Sequence, residues 1–155
     1  MLSSMGIKFH FVSISLGASV DQQTGNMSVF DVLEEVRAPQ LPVHLQSLVI
    51  SMILDKKEQT EFQGKMMIHL ILPDGNQQMV GAGDLQIPSE QKRMKAVFRF
   101  GGFPIPQFGS YRFVLSCLNS AGNKVAEALL DFDAIQVSQP QQGATNSTDR
   151  TKLAH

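Results

Sequence analysis

Three histidines (His10, His44 and His69) and a single cysteine, Cys117, are the side chains between residues 7 and 135 best suited to ligate a metal or attack a carbonyl. None stands two or four residues from another, so the sequence holds no local metal-binding pair. Serine, histidine and aspartate are all present, but no G-x-S-x-G elbow raises a serine on a strained turn, which leaves hydrolysis without a motif. Glu127, Asp131 and Asp133 alternate along one face of "KVAEALLDFDA". That spacing suits a cation site or, more simply, a solvated face paired with arginines. "GAGDLQ", residues 81–86, has a G-x-G without a third glycine and lies inside strand-like sequence, so its glycines are read as a bulge or a close backbone approach. The reading is therefore of a non-enzyme with no catalytic residue, no metal site and no cofactor.

The densest contact chemistry is "FRFGGFPIPQFGSYRF", residues 98–113, with five phenylalanines and a tyrosine around three glycines and two prolines. Strand alternation puts Met94, Ala96, Phe98 and Phe100 on one face, and Tyr111, Phe113, Leu115 and Cys117 on one face of the next strand. Most of the aromatic density is thereby core, and a stacking platform for nucleic acid is lost. Phe103, Ile105 and Phe108 remain as candidate binding residues in "GGFPIPQFG", where Pro104 and Pro106 remove backbone donors and stiffen the connection. They either cap the open end of the fold or offer an apolar contact. Gly109, Tyr111 and Phe113 follow the G-x-Y pattern of immunoglobulin-like sandwiches, in which the tyrosine hydroxyl ties back to nearby backbone.

The elements that must position these groups are strands. Turn chemistry in "DQQTGN", "PQLP", "LDKKEQ", "PDGN", "PSEQ" and "NSAGN" punctuates apolar alternation of period two, and no window carries an apolar stripe of helical length. About eight strands result, near residues 7–16, 27–35, 43–54, 61–72, 77–87, 92–101, 110–118 and 123–134. One-sided strands at short spacing predict an all-β, antiparallel two-sheet sandwich over residues 7–135. The first strand changes phase between Phe11 and Val12, which predicts a bulge. A final hairpin turning at residues 119–122 would set Phe113 opposite Ala128, Tyr111 opposite Leu130 and Arg112 diagonal to Glu127 and Asp131, with Asp131 outward. Residues 136–155, rich in Gln, Ser, Thr and Asn, offer almost nothing to bury and are expected to form a disordered tail.

At 155 residues the chain fits one domain, burying roughly 68% of its unfolded surface. Thirteen Lys+Arg against 14 Asp+Glu, with no run of like charge, argue against nucleic acid and acidic membranes as partners. One cysteine permits no intrachain disulfide and fits a reducing, cytoplasmic setting. The opening "MLSSMGIKFHFVSISLGASV" mimics a secretory signal, but His10 and two serines interrupt it and no A-x-A site follows. No segment approaches the roughly 20 apolar residues of a membrane span.

Taken together, "ASVDQQTGNMSVFDVLEEVRAPQLP", "LILPDGN" and "FRFGGFPIPQFGSYRFVL" resemble a widespread bacterial family of uncharacterised single-domain proteins, a domain of unknown function. The resemblance covers residues 7–134 and leaves out the tail after Ile135. It implies a small cytoplasmic β-sandwich and brings no catalytic residue with it. The expected function is a protein-interaction module presenting loops or an edge strand to another protein. The alternatives are a small-ligand binder or enzyme at one mouth of the sandwich, where His44 meets "GGFPIPQFG", and a structural protein that self-associates through an edge strand.

Overall fold

A computed structural model describes residues 6–138. It contains nine strands: β1 (Ile7–Val20), β2 (Met27–Val32), β3 (Glu35–Ala38), β4 (Val43–Lys56), β5 (Phe62–Ile71), β6 (Gln77–Ile87), β7 (Arg93–Ile105), β8 (Gly109–Asn119) and β9 (Lys124–Gln136). Two sheets, ordered β2-β1-β4-β7 and β3-β9-β8-β5-β6, form the all-β sandwich. The ninth strand arises because residues 27–35 are not one run. Asp31 adopts a φ of 58°, a left-handed conformation that a short polar residue tolerates. The chain leaves the first sheet only after Leu33, whose amide still donates to the Ile14 carbonyl at 2.9 Å, and β3 joins the second, running parallel to β9 while the other neighbours are antiparallel.

Between the sheets, Leu48, Ile50, Met52 and Leu54 of β4 join Met66, Ile68 and Leu70 of β5 and Phe113, Leu115 and Cys117 of β8 in one buried cluster. A chain of rings runs through it. Phe100 and Phe103 meet edge to face at 6.0 Å, Phe103 and Phe113 lie 5.8 Å apart, Phe113 and Phe132 6.0 Å, and Tyr111 stacks on Phe132 at 4.9 Å. Gly81 and Gly83 make room for this packing, since a Cβ on either would sit 3.4 Å from Phe100 and 3.2 Å from Phe98 respectively. The β5–β6 pairing also shifts between Ile68 and His69. The glycines of "GAGDLQ" thus mark both a close approach and a bulge.

The phase change in β1 is a register shift between Phe9 and Phe11. In the last hairpin, the observed register differs from the expected one by two residues. Phe113 faces Leu130, Tyr111 faces Phe132, and Arg112 lies directly opposite Asp131. The turn closes with the Asn119 amide donating to the Asn123 carbonyl at 2.9 Å, Gly122 takes a φ of 86°, and a bulge follows at Cys117/Leu118. An even displacement leaves every side chain on its expected face, and Asp131 points outward. The strand continues to Gln136, whose neighbour Val137 donates to the Ala38 carbonyl at 3.1 Å. Of the expected tail, residues 139–155 lie outside the described residues.

Candidate functional site

The residues singled out in "GGFPIPQFG" separate by burial. β7 continues to Ile105, pairing with β4 as far as Val43, so Phe103 and Ile105 are carried into the core. Phe108 stays half-buried. The connection is pinned by Tyr111, whose hydroxyl donates to the Gln107 carbonyl at 2.7 Å and accepts from the Gln107 amide at 3.0 Å. His44 lies opposite Pro104. The nearby cleft of about 460 Å³ has walls of Leu72, Val80, Phe100 and Pro106, and His44 does not line it.

The other chemical groups are individually occupied. Asp131 accepts two hydrogen bonds from Arg112, at 2.8 and 3.0 Å, Asp133 accepts from Ser110 at 2.7 Å, and Glu127 pairs with Lys124 at 2.7 Å. The carboxylates of β9 therefore have structural partners, and no group of three metal-ligating side chains occurs among the described residues. Burial pushes the Cys117 thiol up to about 11, which keeps it protonated and unreactive at neutral pH. His69 faces Val114 across β8.

A different region gathers unpartnered surface. β1 pairs with β4 only as far as Ser15 and Val49, and its last residues pair with β2 as a separate hairpin. This hairpin leans across the outer face of the four-stranded sheet. Arg99, outward on β7, donates to the Ala18 carbonyl at 3.0 Å. The residues beneath are small: Ser13, Ser15, Val49 and Ser51 are buried although they point away from the core. The hydroxyls of Ser13 and Ser51, opposite each other, have no hydrogen-bond partner among the described residues. Small side chains let the hairpin approach, and its own cover is Ala18, Met27 and Val29, which are less exposed than the alternating Ser28 and Phe30.

Beside the hairpin is an open cleft of about 550 Å³. Phe11 and Ile53 of the sheet face Met27 and Val29 of β2 across it, and Arg93, Lys95 and His10 form its basic side. Asp55 organises this side, accepting from Arg93 at 2.7 Å, with His10 Nδ1 3.4 Å away. Burial acts to raise the Asp55 pKa, but the Arg93 hydrogen bond and charge, with His10 and Lys8, outweigh it and hold the carboxyl below its ordinary range. Next to it Lys56 is buried, its ammonium donating to the carbonyls of Thr60, Pro88 and Ser89 at 2.7, 2.6 and 3.2 Å. It ties the β4–β5 connection to the β6–β7 connection.

On the hairpin's far side, Phe30 is 52% and Val32 62% exposed, Phe30 lying over Gly17. Sequence reasoning missed both. The strand near residues 27–35 is legible, but nothing in "MSVFDV" marks its Phe and Val as exposed.

No curated protein matches the sequence. Among solved structures, an alkylpurine DNA glycosylase, AlkC, from Pseudomonas fluorescens, bound to DNA containing an abasic site analog, superposes with a TM-score of 0.51 at 9% identity, over 88% of this chain and 32% of that one. A crustacean hemolymph-type prophenoloxidase gives 0.51 at 7%, over 88% and 35%, and a β-glucosidase from Listeria innocua 0.45 at 7%, over 83% and 17%. The chain spans about a third or less of each of these proteins, and at such identity the first two likenesses concern the fold alone. The family of unknown function DUF6941 matches residues 13–142, most of the chain and nearly all of the sandwich, and the chain belongs to that family.

Proposed function

We propose that the protein is a non-catalytic interaction module that presents the β1–β2 hairpin, and with it the edge strand β2, to another protein. The observation that carries this reading is the placement of exposed apolar side chains. Phe11, Leu16, Val20, Phe30 and Val32, all on these two strands, are most of the large exposed hydrophobics among the described residues. Fully burying a side chain of that kind is worth roughly 1.5–3 kcal/mol, and apolar patches left open on an otherwise packed fold mark interaction sites. The neighbours β1-β4-β7 and β9-β8-β5 follow the A-B-E and G-F-C order of an immunoglobulin-like sandwich, and the Tyr111 tie matches its tyrosine corner. Such a scaffold holds loops and edges rigidly for a partner.

The non-catalytic part is supported by the pairing of the β9 carboxylates and the inert thiol of Cys117. A net charge of −1 favours a protein partner over nucleic acid. A cytoplasmic, bacterial setting belongs to the same reading, and the lone buried cysteine suits a reducing compartment; among the described residues no helix is long and apolar enough to cross a membrane.

The test is a quantitative pull-down from the native host with three baits: the unaltered protein, Phe30→Ser/Val32→Ser, and Leu129→Ser, which removes an exposed leucine from the opposite sheet. The reading expects a protein set held by the first and third baits and lost from the second. A set indifferent to the hairpin substitutions would overturn it.

A further inference from the structure

We propose, building on that reading, that the cleft between the β1–β2 hairpin and the four-stranded sheet receives an extended acidic segment of the partner protein. Its carboxylates sit against Lys95 and Arg93, and its backbone pairs with the free edge of β2.

Charge complementarity carries the inference. The chain as a whole is balanced, yet β1, β4 and β7 together hold Lys8, Lys56, Arg93, Lys95 and Arg99 against one acidic residue, Asp55. Lys56 is consumed by three carbonyls and Asp55 by Arg93 and His10. Lys8 and Lys95 make no ion pair among the described residues. Lys95 lines the cleft directly, beside Arg93. Phe11 and Ile53 lie beside these cations on the same sheet face, Ile53 being paired with Lys95 and Phe11 with Ile53, and Met27 and Val29 complete a lining that mixes basic and apolar groups.

A segment that carries both acidic and β-branched residues suits this mixed lining. β2 is the last strand of its sheet and contributes Met27 and Val29 to the cleft. The outer edge of β2 has no strand partner among the described residues, the arrangement that β-strand addition uses. Lys65 of β5 makes no ion pair among the described residues either, but it belongs to the other sheet and does not line this cleft.

The experiment is selection of a random peptide library on the immobilised full-length chain, followed by fluorescence-anisotropy titration of the enriched peptides. The expected sequences combine Glu or Asp with Val or Ile. Their affinity should fall at least tenfold in Lys95→Glu, stay unchanged in Lys65→Glu on the other sheet, and weaken with added salt. A failure to enrich any peptide, enriched peptides without acidic excess, indifference to Lys95→Glu, or equal competition by a short DNA duplex would each overturn the proposal. Thermal midpoints of both variants establish that they are folded. If peptide binding ignores Lys95→Glu but is lost in Phe30→Ser, the hairpin reading stands and the acidic-segment proposal falls. If the host protein set is retained by Phe30→Ser/Val32→Ser, the hairpin reading itself has failed.

Discussion

Phe113 and Arg112 are sequence neighbours on opposite faces of β8, and their substitutions should differ several-fold in cost. Phe113 is fully buried between Phe103 and Phe132, so Phe113→Ala should destabilise by about 3–5 kcal/mol in urea unfolding. Arg112 and Asp131 are each about half exposed, and Arg112→Ala should cost less than about 1 kcal/mol despite its two hydrogen bonds. Asp55 behaves differently because it is buried. Its carboxyl pKa is lower in the folded state than the ordinary 3.8, so the stabilisation is complete above that value and lost as the pH falls through the folded one. Asp55→Asn should therefore be less stable at pH 7 by about 1–3 kcal/mol, with the gap closing at pH values below 3.8. A gap that persists in acid would show that packing, not charge, is responsible.

At the scale of elements, alternation made most strands legible, because a sheet buried on one side writes its faces into the sequence with period two. The β8–β9 faces followed from that rule, whereas the register did not, because the turn pairs Leu118 with Lys124, one residue beyond expectation, and the bulge at Cys117/Leu118 adds a second, neither of which a side-chain pattern announces. The break of residues 27–35 into β2 and β3 falls at residues 33–34, two residues past the left-handed Asp31, and no turn residue in the sequence marks it. The extension of β7 to Ile105 was hidden by Gly and Pro residues that resemble a loop, and it moved Phe103 and Ile105 from contact candidates to core. The hairpin was least visible. Its resting place requires small outward residues on β1 and β4, and serines there look like any solvated face. Close packing also sets the cost of adding a methyl group. At Gly64 a Cβ would overlap the Leu118 carbonyl oxygen, which is backbone, while at Gly83 it would press on the Phe98 ring at 3.2 Å. Gly64→Ala should lower the unfolding midpoint by several degrees more than Gly83→Ala, since a ring can rotate where a strand must shift. Equal midpoints would mean that the β5–β8 pairing yields readily.

For the molecule as a whole, the five-stranded sheet pairs the carboxylates of β9 and exposes Met79 and Leu129, while a hairpin lies across the four-stranded sheet, whose first two strands expose Phe11, Leu16, Val20, Phe30 and Val32. The proposed front is the hairpin side. The claim that the front is the β1–β2 hairpin is tested most directly by hydrogen–deuterium exchange of the full chain, free and bound to a protein recovered from the host. Binding at an edge strand satisfies its open backbone groups and slows their exchange. The amides of Met27–Val32 should gain protection on binding, with those of Gln107 and Phe108 in the β7–β8 loop unchanged. Protection confined to that loop, or to the outer face of the five-stranded sheet, would contradict the account.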